Sequence, residues 1–398
     1  MPGQRLSRGE FVAMIAMLFA TIAFSIDAML PALPQIGAEL TPDNLNHAQF
    51  IITSFMLGIG VGTLISGPLS DSYGRKPVIL GGAALYIAGA ALAGLAQSLE
   101  LVLIGRVIQG LGAAGPRVVA LAVVRDLFSG REMARIVSIV MMIFTLLPAL
   151  APSIGAGIIT FLGWRGIFAV FIAFSVLSVG WFSLRQAETL PPERRRPMRV
   201  TPLLDAAREV VRDPVARIAT LVQTLIFSVL FMFLSSTQQV FDIHFGRGDS
   251  FPLWFGFIAV IAGSASFLNA VLVGRLGMRF LIRTTLIVQV GLSGAMMVLA
   301  WTGALPGWAE FPAFVVWQIT IFGMLGLTIG NLNALAMEPL GHIAGMAASI
   351  IGALSTVGSV ILAAPVGQAF DGSLRPLTTG AFLAVAAALW MLSRLPER

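Results

Sequence analysis

Asp27 stands inside an apolar run, with residues 22–26 before it and 28–33 after it. If that run crosses a bilayer, a carboxylate at this depth is costly while charged and unpaired. The group is then suited to take up and release a proton. A structural ion pair, or a place nearer the outer headgroups, is the competing reading. A second apolar run reads RVIQGLGAAGPRVVALAVVRD, from Arg106 to Asp126. On a helix turning ~100° per residue, Arg106 and Arg117 fall within about 20° of each other. Gln109 and Ala113 share their face. A stripe with two cations cannot face lipid, so it is expected to line an interior cavity. Arg106 lies about as far from the outer end of its run as Asp27 does in its own, so the two can pair. Arg117 follows Pro116, which disturbs a helix. A cation there attracts anionic or carbonyl-bearing molecules, unless it merely snorkels to the interface.

Between two other apolar runs lies GPLSDSYGRKP, residues 67–77. Gly67 and Gly74 permit a tight loop, and Asp71, Arg75 and Lys76 fill it. One acid and two cations at such a joint can hold the adjoining helices in one of two arrangements, a conformational switch. Asp126 closes its own run where it can pair with Arg75. A further run, LPALAPSIGAG, carries Pro148, Pro152, Gly155 and Gly157. Prolines kink a helix and glycines permit close contact, so a pivot is expected, with an ordinary kinked packing helix as the alternative. The second half of the chain is polar but uncharged inside its runs, at Gln223, Asn269, Gln289, Gln318, Asn331 and Asn333. Phe227, Phe231, Phe233, Trp317 and Phe322 add aromatic walls that suit bulky apolar ligands. The expected lining of a substrate cavity is Gln109, Arg117, Gln223, Phe227, Phe231, Trp317, Gln318 and Phe322. His47, His244 and His342 lack metal-ligand spacing, cysteine is absent, and no phosphate-binding loop occurs. No nucleophile–base cluster appears either. A metal site, an enzyme and an ATP-driven pump are therefore not expected.

The elements that position these residues follow from composition. The chain is 57% hydrophobic and 11% charged, with mean hydropathy +0.90; a soluble domain carries about 25% charged residues. Lipid is therefore the main solvent, and spans in lipid must satisfy their own backbone groups as helices. The 42 glycines suit close helix packing. Twelve spans are predicted, at about 10–33, 47–70, 77–97, 100–124, 134–160, 165–185, 215–240, 252–274, 281–303, 311–336, 343–369 and 376–394. The first is too long for the apolar core of a signal peptide and is read as a retained span. Of the 25 Arg and Lys residues, only Arg165, Arg247 and Arg375 fall on one side of this arrangement, and Arg106 and Arg117 within a span. Positive charge stays in the cytoplasm, so both termini and the Asp71 stretch are expected there. The net charge of +6 is thus topological and does not signal nucleic acid.

One long polar stretch, 186–214, opens with LPPERRRP, a linker by its prolines and charge. Its continuation, 201–212, is expected as an amphipathic helix on the membrane surface. The chain divides into a six-helix bundle at 1–185, a linker at 186–214 and a second bundle at 215–398. A degenerate repeat supports this: in AVLVGRLGMR, residues 270–279, Leu272, Gly277 and Arg279 align with Leu69, Gly74 and Lys76, while Gly274 replaces Asp71. Paired halves around a central site are a general transporter architecture.

The 67–76 stretch resembles the signature of major facilitator superfamily transporters, Gly-x-Leu-x-Asp-x-x-Gly-Arg-Lys, matched by Gly67, Leu69, Asp71, Gly74, Arg75 and Lys76. Arg106, Gln109, Gly110 and Gly112 fit that superfamily's fourth-helix pattern, Arg-x-x-Gln-Gly-x-Gly. The runs IDAMLPALPQI, VVRDLF, APSIGAG, ETLPPERR and HIAGMAAS resemble the bicyclomycin and chloramphenicol resistance (Bcr/CflA) branch. That resemblance implies an all-α fold of two pseudo-symmetric six-helix bundles in the bacterial inner membrane. It implies a proton-coupled antiporter that exports drugs by alternating access, with Asp27 at the branch's first-helix aspartate. The proton would be the coupling ion, with no other cofactor. A small-molecule substrate and the lipid bilayer would be the partners of a monomer that binds no nucleic acid. Pro116 and Arg117 depart from the branch and bear on substrate range. The competing expectations are a transporter of one specific metabolite, an anion if Arg106 and Arg117 meet it, and a receptor or structural protein on a transporter scaffold.

Overall fold

A computed structural model describes residues 6–195, 197 and 200–396. Arg5, Arg196, Arg199 and Arg398 of the charge pattern lie outside the described residues. The helices are α1 (Arg8–Asp27), α2 (Leu33–Leu40), α3 (Phe50–Tyr73), α4 (Arg75–Leu95), α5 (Leu99–Leu127), α6 (Gly130–Arg185), α7 (Val200–Arg212), α8 (Pro214–Gln239), α9 (Phe251–Leu276), α10 (Met278–Thr302), α11 (Gly307–Met337), α12 (Ala344–Gln368) and α13 (Arg375–Leu392). No strand occurs among the described residues.

Among the described residues, ten helical stretches are long and apolar enough to cross a membrane. Two of them, of 56 and 62 residues, are each long enough for two spans. The first is α6, which breaks at Gly163, where φ is 66° and ψ 178°. The second is α11 and α12, joined through a short turn at Glu338–Ile343. Twelve spans result, as expected from the sequence. Phe161 and Leu184, 86% and 87% exposed, need an apolar solvent that water does not supply.

The chain forms two compact units. One comprises residues 1–41 and 54–202, the other 42–53 and 203–398, so the 186–214 stretch divides between them. In the first, α4 packs on α5 and α1 on α6. A Cβ on Gly112 would stand 2.3 Å from the Tyr86 backbone nitrogen, and one on Gly89 2.4 Å from that of Gln109. Such contact of backbones is what small residues permit. In the second unit α8 packs on α11, α12 and α13, and α9 on α11.

The helix α7 buries its apolar residues Ala206 and Val210, leaves Leu204 and Val211 exposed, and pairs through Glu209 with His342 at 2.9 Å. One correction to the sequence reading follows. The 67–77 stretch is not a loop. α3 continues to Tyr73 with Pro68 inside it, α4 begins at Arg75, and Gly74 alone joins them. Gly74 has φ 104° and ψ 161°, and Gly277, between α9 and α10, has φ 81° and ψ 155°. The repeat faint in the sequence is therefore plain in the backbone, at two single-residue joints that favour glycine.

Candidate functional site

The first span is broken at its acid. α1 ends at Asp27, a short turn covers Leu30–Ala32, and α2 follows. Pro31 and Pro34 lack the N–H groups that would carry the helix ladder through. The Asp27 side chain is 4% exposed and makes no hydrogen bond or ion pair among the described residues. Arg106, fully buried, donates from Nη1 to Gln109 Oε1 at 2.8 Å and from Nη2 to the Ser25 carbonyl at 3.0 Å. Its guanidinium also lies 4.1 Å from the Phe55 ring centroid. The Asp27–Arg106 pair considered from the sequence is thus not formed: Arg106 grips the backbone two residues earlier. Ser25 Oγ lies 2.6 Å from Tyr86 Oη, which ties α4 to the same turn. Ser25 and Tyr86 carried no signal in the sequence beyond being polar within apolar runs.

Arg117, half-buried on α5, makes no hydrogen bond or ion pair among the described residues. Gly155 of α6 lies directly on the turn after Asp27: a Cβ there would stand 2.1 Å from the Ala28 carbonyl oxygen. Gly157 is exposed and has nothing within 4 Å of such a Cβ, so it makes no comparable approach. Pro148 and Pro152 lie inside α6.

At the α3–α4 joint, Arg75 is 8% exposed. Its Nη1 donates to Asp71 Oδ1 at 2.5 Å and Ser70 Oγ at 2.8 Å, and its Nε to Asp126 Oδ2 at 3.0 Å. Lys76 Nζ donates to the Ser183 carbonyl at 2.6 Å, and Ser70 Oγ to that of Gly67 at 2.9 Å. Two residues here were not singled out from the sequence. Glu188 accepts from the backbone N–H of Arg75 at 2.9 Å and of Lys76 at 3.0 Å, capping α4. Thr189 Oγ1 donates to Asp126 Oδ2 at 2.9 Å. Their signal was the ETLPPERR run. Burial pushes the Glu188 carboxyl up, but the N–H groups of Leu190, Arg75, Lys76 and Thr189 outweigh it and hold it below the usual glutamate range.

In the second unit, Phe314, Trp317 and Phe322 meet around Phe233, and Gln318, buried, lies between them along α11. The Phe233 ring lies 5.0 Å from Trp317, 6.3 Å from Phe314 and 6.0 Å from Phe322. Trp317 Nε1 donates to Ser293 Oγ at 3.1 Å. Gln223 is buried on α8. Phe227 and Phe231 stack on each other at 6.1 Å, and Phe231 lies about 160° around α8 from Phe233, so this pair does not join the others. Among the described residues no group of three His, Cys, Asp or Glu could hold a metal.

The family described as Major Facilitator Superfamily matches residues 13–363. The multidrug resistance protein MdtL of Salmonella heidelberg is 30% identical over 94% of this chain and 92% of its own. A bicyclomycin resistance protein homolog of Haemophilus influenzae is 30% identical over 90% of this chain and 89% of its own. Among solved structures, a D-xylose–proton symporter superposes with TM-score 0.76 over 97% of this chain and 98% of its own, at 16% identity. That likeness is one of fold: two six-helix halves.

Proposed function

The chain belongs to the major facilitator superfamily of membrane transporters, and on that premise we propose that it exports small amphipathic compounds in exchange for protons. The observation that carries this reading is Asp27, buried and unpaired at the break of the first span. A carboxyl so placed is cheap to hold protonated and costly to hold charged, so it binds a proton where it meets the acid side and releases it after the helices rearrange. Coupling follows if protonation and substrate favour opposite arrangements. Arg106 holds the Asp27 turn in place through the Ser25 carbonyl. The Arg75 cluster, with Asp71 and Asp126, holds α3 and α4 in one of two arrangements. The bundles 1–185 and 215–398 are the moving bodies, joined by 186–214. The protein works as a monomer in a bacterial inner membrane, with both termini in the cytoplasm. The names of the relatives, multidrug resistance and bicyclomycin resistance, support drug export.

A second reading, transport of one anionic metabolite, is favoured by the unpaired Arg117. The test is uptake into proteoliposomes under an imposed pH gradient, using ethidium, chloramphenicol and benzoate. The parent protein concentrates at least one of them, and Asp27→Asn retains only downhill exchange. Concentration by Asp27→Asn against a gradient would remove Asp27 from coupling.

A further inference from the structure

On α11, Phe314, Gln318 and Phe322 follow one another at every fourth residue and so form one stripe. The Phe233 ring of α8 touches Phe314, Trp317 and Phe322, which flank Gln318 on both sides. Gln318 is therefore aimed at α8. It is wholly buried, and neither its amide nitrogen nor its amide oxygen has a hydrogen-bond partner. α8 presents Phe233 and Thr237, four residues apart, and Phe241 follows in the π-helical turn Val240–His244 that continues the helix. Phe241 reaches Phe314 at 6.0 Å, so Thr237 faces the same seam about one helical turn from Gln318. Thr237 too is wholly buried with its hydroxyl unpartnered. Thr220, Thr224 and Ser235 of this helix each donate back to the carbonyl four residues earlier, and Thr237 does not.

A buried amide left unmade costs the desolvation of both its ends, and native proteins seldom tolerate it without reason. Two such groups, aimed into one aromatic seam, are better explained by a ligand that supplies the missing partners. We propose that the α8–α11 seam is a recognition site for an uncharged carboxamide carried on an aromatic body. The Gln318 amide has one donating and one accepting edge, which a primary or secondary amide matches in pairs. Thr237 can serve the remaining lone pair or N–H. Phe233, Phe314, Trp317 and Phe322 stack on the aromatic part. The charged residue on these stripes, Glu310, lies one turn before Phe314 and is engaged by His244 at 3.1 Å, so between Phe314 and Phe322 the seam has no charge to neutralise a ligand's. The assignment deepens the export reading and presupposes that these helices open to substrate.

The test measures equilibrium binding to purified protein in micelles, with no gradient imposed. The probes are carbamazepine, a dibenzazepine bearing a primary carboxamide, and its parent dibenzazepine, which lacks that group. The parent protein is expected to prefer carbamazepine by about tenfold, and Gln318→Leu to abolish the preference while keeping affinity for the bare ring. Thr237→Val should lower the preference less. Melting temperature supplies the second measurement: removing an unpartnered polar group should leave it unchanged or raise it. A preference that survives Gln318→Leu, no binding of carbamazepine by the parent protein, or a marked fall in melting temperature in Gln318→Leu would each overturn the proposal. Because no proton gradient and no Asp27 step enters, failure here leaves proton-coupled export standing, and failure of Asp27 coupling leaves this site standing.

Discussion

Glu188 closes over Gly74. A Cβ on that glycine would stand 2.6 Å from Glu188 Oε2, while the carboxylate accepts the first two backbone N–H groups of α4. The joint that carries the superfamily signature is thus capped from more than a hundred residues away. A negative charge at a helix N-terminus also meets the positive end of the helix dipole.

The cap gives a pH signature. The folded Glu188 carboxyl lies below its ordinary value of 4.5, so its stabilisation is complete above that value and is lost as pH falls through the lowered folded one. Glu188→Gln should therefore melt below the parent protein at neutral pH, and the gap should close in acid. Differential scanning of both proteins across pH 3–8 checks this; a gap that widens in acid would mean that the charge does not stabilise the joint.

The two acids on Arg75 should separate by effect. Asp71 has a side chain 53% exposed and Asp126 one 21% exposed. An exposed pair is worth about 0–1 kcal/mol, so Asp71→Asn should barely change melting. It should instead slow turnover with substrate affinity spared. Asp126→Asn should cost about 1 kcal/mol, because the amide oxygen can still accept from Arg75 and Thr189 but the charge facing the buried Arg75 is gone. Paired melting curves and transport rates check both, and loss of affinity in Asp71→Asn would place that residue at the ligand.

Gly155→Ala forces a methyl against the Ala28 carbonyl, where overpacking costs about 1–3 kcal/mol. Gly157→Ala meets open space, and replacing a helical glycine gains about 0.5–1 kcal/mol. The two neighbouring substitutions should shift melting in opposite directions. Gly155→Ala should also perturb proton-driven transport, since the displaced turn carries Asp27.

Arg117→Gln tests substrate charge. A desolvated charge contact is worth about 1.5–3 kcal/mol, so an anion that uses it should bind roughly ten- to a hundred-fold more weakly without it. A lipophilic cation should bind no worse. Binding constants for benzoate, chloramphenicol and tetraphenylphosphonium to both proteins provide the comparison. Equal values across the set would leave Arg117 a packing residue.

The sequence by itself determined the helical class, the twelve spans, the duplicated halves and the family. Hydropathy and turn residues are local, and lipid imposes one solution on any long apolar run. It also placed Arg75 beside Asp126, because both sit at the ends of their helices. What lies between distant residues was decided by the tertiary structure alone. Arg106 and Asp27 stand at matching depths, yet Arg106 turns to Gln109 and the Ser25 carbonyl, a choice fixed by side-chain geometry and packing. Glu188 is 113 positions from Arg75, and nothing in either neighbourhood announces the other. The signature read as a loop because Gly67, Pro68 and Gly74 are turn residues, but packing kept Gly67 and Pro68 helical and left the turn to Gly74. Gln318 and Thr237 looked like ordinary polar residues on separate helices. Only the docking of α8 on α11 buries both in one aromatic seam without partners, because which face a helix buries depends on what it packs against.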